Sequence, residues 1–166
     1  MAQRMTAFRW LGWEMYELPP EVATAVTEEE HLLYAKAIVV CAAGDAEIAQ
    51  PEREWIVGLL TTAGVSPEIT DAIETYDGSD TIEDLLSATP AMPVYGRSMI
   101  YDALRACSSD GELSAGERDR VFAAADRMNL SRQVVEELEQ VVREEGTLRK
   151  RRHKLIVADA FAEAPA

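Results

Sequence analysis

Histidine and cysteine are scarce in this 166-residue chain, with two of each, and the scarcity removes several chemistries at once. Cys41 and Cys107 each lie in an apolar stretch with no CxxC spacing and no Cys/His cluster nearby. Neither a thiolate metal site nor a disulfide is supported, and buried free thiols in a reducing compartment are expected. His31 completes one Glu-x-x-His with Glu28, but His153 has Lys150 three residues before it. The second Glu-x-x-His that a helical di-iron carboxylate site requires is therefore missing. There is no nucleophile–base pair and no glycine-rich phosphate loop. Cations are few as well, 16 Lys and Arg against 30 Asp and Glu, for a formal net charge of −14. A general nucleic-acid binder needs basic surface to displace phosphate counterions, so that class is excluded. No apolar run approaches the roughly 20 residues that span a bilayer. Arg4, Arg9 and Glu14 interrupt the first 16 residues, which lack the apolar centre of a secretory signal. These absences lead to the expectation of a cytoplasmic protein with no membrane span and no nucleic-acid partner.

The chain does have a composition suited to a packed core, 48% hydrophobic and 28% charged. It also has an internal match at an offset of 65 residues. Asp45-Ala46-Glu47-Ile48-Ala49-Gln50-Pro51-Glu52-Arg53 aligns with Asp110-Gly111-Glu112-Leu113-Ser114-Ala115-Gly116-Glu117-Arg118. The flanks align without a gap. Gly64 meets Asn129, two residues that tolerate the left-handed end of a helix. Ser66 meets Ser131, each placed to cap the helix that follows. Ile69, Ile73 and Tyr76 meet Val134, Leu138 and Val141 at helical spacing.

Each copy reads helix, acidic loop, helix, tight turn, helix. The first places helices at about 28–43, 51–63 and 67–76, the second at about 95–108, 115–128 and 132–146. A short helix near 81–87 lies between them, bounded on its far side by Pro90 and Pro93. Thr27 with Glu30 and Ser114 with Glu117 fit capping boxes. The first helix is apolar almost all round, as a buried central helix must be. The expected fold is all-α, two pseudo-symmetric three-helix repeats (27–76 and 95–146, linked by 77–94) around one core. An aromatic arm, 1–26, precedes this domain of residues 27–148, and a basic run with a flexible tail, 149–166, follows it.

The repeated Asp-x-Glu-x4-Glu places three carboxylates around one helix–loop–helix joint. Hard divalent cations take oxygen ligands in such numbers, and a bound ion relieves the mutual repulsion of the carboxylates. Asp45, Glu47, Glu52, Asp110, Glu112 and Glu117 are thus candidate ligands, with calcium or magnesium favoured over zinc and no organic cofactor expected. The loops are not EF-hands. The sixth and twelfth positions, which need glycine and glutamate, hold Gln50 and Ile56 in one copy and Ala115 and Val121 in the other. Capping explains part of the same pattern, since acidic residues suit the first turn of a helix. Arg53 and Arg118 offer ion pairs that would tie each turn without metal.

The helix–[A/S]-D-G-E-[I/L]-S-x-x-E–helix signature, present twice in an all-helical domain, resembles the TerB-like (tellurite-resistance) family. The segment 109–117 carries it well. The segment 44–52 is a degenerate copy, with alanine where glycine and serine are usual. Over about 27–146 the resemblance implies an all-helical, pseudo-twofold fold whose acidic residues are proposed metal ligands. It does not imply tellurite chemistry.

Three functional readings follow. The first is a cytosolic divalent-cation-binding scaffold or regulatory module that acts through protein partners or as a homo-oligomer. The second is a metal-assisted hydrolase or lyase using the acidic loops as acid and base, which would need both loops on one deep pocket. The third is a metal-independent interaction module. It would use Trp10, Trp13 and Tyr16, spaced three apart in the N-terminal arm, or Arg149, Arg151 and Arg152 in the basic run. In that reading the two tryptophans are exposed; otherwise the aromatic stripe packs on the domain.

Overall fold

The computed structural model describes residues 2–18, 26–45, 48–90 and 92–157, and the following account concerns those residues. They form eight α-helices and no strand: α1 Ala2–Tyr16, α2 Glu28–Ala42, α3 Gln50–Ala63, α4 Pro67–Thr75, α5 Ile82–Ser87, α6 Gly96–Cys107, α7 Ala115–Arg127 and α8 Arg132–Ile156. Short 3₁₀ turns at Ala43–Asp45 and Met92–Tyr95 follow α2 and precede α6.

The helix boundaries follow from local chemistry. Thr27 accepts from the Glu30 amide at 3.2 Å while Glu30 accepts from the Thr27 amide at 2.7 Å, the reciprocal capping box that starts α2. Ser114 and Glu117 do the same for α7, at 3.2 and 2.7 Å. Gly64 (φ 74°) and Asn129 (φ 56°) take the left-handed conformation just past α3 and α7. Ser131 caps α8 through the Val134 amide. Ser66 departs from expectation. It occupies the N-cap position of α4, but its hydroxyl donates to a Glu28 carboxylate oxygen at 3.2 Å and makes no cap bond.

The core forms around α2 and α6. Ala35, Ala37, Ile38 and Val39 of α2 are fully buried, as are Met99, Ile100, Ala103 and Leu104 of α6. Helices α3 and α4 pack on one side and α7 and α8 on the other, contributing Ile56, Ile73, Val121 and Val135 with no exposed surface. Burying such side chains contributes on the order of 1.5–3 kcal/mol each.

Outside this arrangement lies α1. It ends where Glu17 adopts φ 51°, and the Leu18 amide closes back on the Gly12 carbonyl. Pro19 and Pro20, which could not continue a helix, lie outside the described residues. Its packed face is Phe8, Leu11, Met15 and Tyr16, whereas Trp10 and Trp13 are 54% and 60% exposed. Helix α8 continues ten residues beyond the expected end, so the basic run 149–154 is helical and exposed. Among the described residues no helix is long and apolar enough to cross a membrane.

Candidate functional site

Two helix starts and one helix end meet in the interior. Glu52 and Glu117 each occupy the third position of their helix, and each folds back to accept its own N-cap amide, from Ala49 and from Ser114, both at 2.7 Å. Ala49 has no side-chain acceptor, so α3 has only this return half of the capping box. Each carboxylate is therefore pinned by its own helix before any tertiary contact forms.

Gly44 brings the two starts together. A Cβ on Gly44 would lie 2.3 Å from the Glu117 nitrogen and 2.6 Å from the Gly116 carbonyl carbon. Only a residue without a side chain lets the first turn of α7 rest on the loop that leads to α3. Arg120 reinforces the approach, donating to the Val40 carbonyl of α2 at 3.1 Å.

The result is a buried trio of Glu52, Glu117 and Cys107, the last residue of α6. One ligand-type atom from each lies within 4.8 Å of the other two. The three residues are 1%, 7% and 0% exposed. Glu52 uses one oxygen for Ala49, and its other oxygen, Oε1, is buried without a hydrogen-bond partner.

Burial is the largest influence on Glu52, pushing its carboxyl up to about 8. The nearby Glu117 carboxyl and the negative charges of Glu117 and Asp110 push the same way, against the Ala49 amide. Burial also pushes the Cys107 thiol up, with Cys41, Glu117 and Glu52 adding to the effect. Cys41 is pushed up to about 12, again by burial. Both cysteines are free and buried, as their apolar surroundings in the sequence imply.

The other sequence-derived ligands are placed differently. Asp110 is exposed and closes a local turn, accepting from the Glu112 amide at 3.0 Å, with Gly111 at φ 107° between them. Glu112 is exposed. The side chain of Asp45 and all of Glu47 lie outside the described residues. Among the described residues, neither arginine bonds to a carboxylate of its acidic loop. Arg53 instead donates to the Ile73 and Tyr76 carbonyls at the end of α4, at 2.7 and 2.9 Å. Arg118 pairs with Glu139 of α8 at 3.1 Å. In each case the partner helix, α4 or α8, supplies the acceptors.

Cys107 is the site member that motif reading misses. It lies outside the acidic repeat, and only its position three residues before Asp110, at the buried end of an apolar helix, points to it. Of the candidate contact residues, Trp10, Trp13, Arg149, Arg151 and Arg152 are exposed. Tyr16 is half-buried and donates to Asp102 at 2.6 Å. A second feature, a cavity of about 600 Å³, lies between α1, α2, α3, α6 and α8. None of Glu52, Asp110, Glu112 and Glu117 lines it.

No family model matches the chain, and no curated protein matches it. Among solved structures, a tellurite resistance protein from Nostoc punctiforme superposes with a TM-score of 0.82 at 22% identity, covering 95% of this chain and 96% of that one. The fold is TerB-like. The TerB-like likeness reaches beyond the 27–146 span that carries the sequence resemblance, since coverage of 95% takes in most of the outer helices too.

Proposed function

We propose that the protein is a divalent-cation-binding module, a duplicated TerB-like scaffold in which both acidic loops lead to one ion-holding centre and which acts through protein partners. The observation that carries this reading is the meeting of Glu52 and Glu117. They are equivalent positions of the two sequence copies, 65 residues apart, and they converge in the interior with a buried, unpartnered oxygen on Glu52. Duplication explains why both helices begin with the same backward-folded glutamate and why a left-handed residue closes each one.

The donor set suits a cation. Glu52, Glu117 and Cys107 would hold it, and Asp45, Glu47, Asp110 and Glu112 belong to the loops that supply further oxygen. An ion would offset the mutual repulsion of two carboxylates held within 4.8 Å of each other. Carboxylates alone favour calcium or magnesium. A thiol within the same 4.8 Å adds a softer donor, and zinc competes on that account. The hydrolase or lyase alternative gains no support, because the large cavity and the acidic loops are separate.

Calorimetric titration of chelator-stripped protein with calcium, magnesium, manganese and zinc tests the proposal. Saturable binding that Glu52→Gln and Glu117→Gln abolish is expected, and Cys107→Ser reports whether sulfur takes part. Heat that survives both glutamine substitutions, or no heat with any ion, refutes the reading.

One observation favours the metal-independent interaction module as a second reading. Trp10 and Trp13 expose over half their surface on one helix, and tryptophan is enriched at protein contacts. Pull-down with and without chelator separates the two, because a partner bound through α1 is indifferent to metal and sensitive to Trp10→Ala.

A further inference from the structure

The 600 Å³ cavity has the volume of a small-molecule site, and its lining is mostly apolar with a few convergent polar groups. Its aromatic wall comes from four elements: Phe8 and Tyr16 of α1, Tyr34 of α2, Tyr95 before α6 and Tyr101 within it. Tyr16 and Tyr101 meet edge to face at 5.9 Å, and Tyr34 and Tyr95 at 6.4 Å.

The polar groups are arranged unevenly. Asp102, 2% exposed, accepts both tyrosine hydroxyls on the same oxygen: Tyr16 at 2.6 Å and Tyr34 at 2.8 Å, both to Oδ2. Its Oδ1 is buried with no partner. Glu145, from α8, accepts the Tyr101 hydroxyl on Oε1 at 2.6 Å, and its Oε2 is likewise buried and unpartnered. The nearest cation does not fill the deficit. Arg105 Nε stands 3.9 Å from Glu145 Oε2, too far for a hydrogen bond, with its guanidinium over the Trp55 and Tyr101 rings. Unmade hydrogen bonds to buried carboxylate oxygens are costly; Glu145 Oε2 has the equally unpartnered Arg105 Nε at ion-pair distance, and Asp102 Oδ1 is the acceptor that marks what is missing, a group that donates and does not accept.

We propose that this cavity binds an amphiphilic amine, its apolar body against the aromatic wall and its ammonium donating to Asp102 Oδ1 and Glu145 Oε2. Three carboxylates line the cavity, Glu30 being the third, against one arginine, the exposed Arg97. That balance attracts a cationic head and repels an anionic one. Tyrosine rings around the head favour it further through their electron-rich faces. An ammonium has three donors and no acceptor, so it meets the two open oxygens without leaving a group of its own unpaired in an unsuitable place. The site is independent of the ion-binding centre, whose carboxylates lie outside it.

The test is calorimetric titration of the full chain with n-decylamine, n-decanol and n-decanoate, each below its micelle concentration. Decylamine is expected to bind saturably at one site, decanol at least about tenfold more weakly for want of the charge-assisted bonds, and decanoate not at all. Asp102→Asn is expected to bring decylamine down to the level of decanol. Val141→Trp blocks the mouth from a position already 42% exposed, and weakens both ligands while circular dichroism stays unchanged. If Asp102→Asn fails to fold, the head-group series and Val141→Trp carry the decision. No saturable binding, decanoate binding as well as decylamine, or binding unaffected by Val141→Trp overturns the proposal.

Discussion

Replacing Glu52 with glutamine isolates the buried carboxyl pair. Glutamine keeps the shape and an oxygen for the Ala49 amide, and it removes the titrating proton from beside Glu117. The native carboxyl moves from an ordinary 4.5 to about 8, so the folded state holds this proton more tightly than the unfolded chain. A raised folded pKa means the stabilisation is complete below pH 4.5 and is lost as pH rises through the window to about 8. Each unit corresponds to about 1.4 kcal/mol, so the full window is worth on the order of 5 kcal/mol if the pair gives up one proton. That is a large share of the 5–15 kcal/mol that usually separates a folded domain from its unfolded chain.

The assay is urea unfolding in chelator at pH 5, 6, 7 and 8.5. Native protein is expected to weaken steadily toward pH 8.5. Glu52→Gln is expected to match it at pH 5 and exceed it at pH 8.5 by several kcal/mol. Asp102 is pushed up to about 6, chiefly by burial, and weakens the native state by the same sign at lower pH. It does so in both proteins, and the difference between them cancels it. Equal slopes for the two proteins, or native stability that rises between pH 6 and 8, would refute the reasoning.

Other perturbations address other parts of the molecule. Gly44→Val forces a side chain into the first turn of α7, and should cost about 3 kcal/mol by overpacking and reduce ion affinity with it, as thermal unfolding and titration will show. Arg53→Met removes two bonds to the last carbonyls of α4 and should cost about 1–3 kcal/mol in urea unfolding, with hydrogen exchange rising locally in 67–76. Ser114→Ala removes the forward half of the α7 capping box and should cost about 1 kcal/mol, while Ala49→Ser should stabilise α3 by a similar amount by completing its box. Ile38→Ala, at a position with no exposed surface in the central helix, should cost about 2–5 kcal/mol.

The helices were legible in the sequence because their ends are written in local chemistry. Thr27–Glu30, Ser114–Glu117, Gly64 and Asn129 act within a few residues of themselves, and each does what its spacing implies. Glu52 and Glu117 were legible as ligand-type residues for the same reason. Their convergence was not, because it depends on a bare backbone at Gly44 that lets two helix starts touch. Ser66, Arg53 and Arg118 show the limit from the other side. Each meets a partner 20 or more residues away, Glu28, the α4 carbonyls and Glu139, which no local spacing reveals. Cys107 and Asp102 carry no motif. They look like ordinary positions in the apolar helix α6, and only packing reveals one beside two carboxylates and the other under two tyrosines.

Helix α8 has an electrical consequence for the whole molecule. Five of the chain's sixteen Lys and Arg residues fall in the six positions 149–154 near its exposed end, while the body behind it is more acidic than the net −14 conveys. Such a particle has a large permanent dipole moment. In dilute salt such a charge separation orients the molecule in a field, with the helix tip toward negative charge.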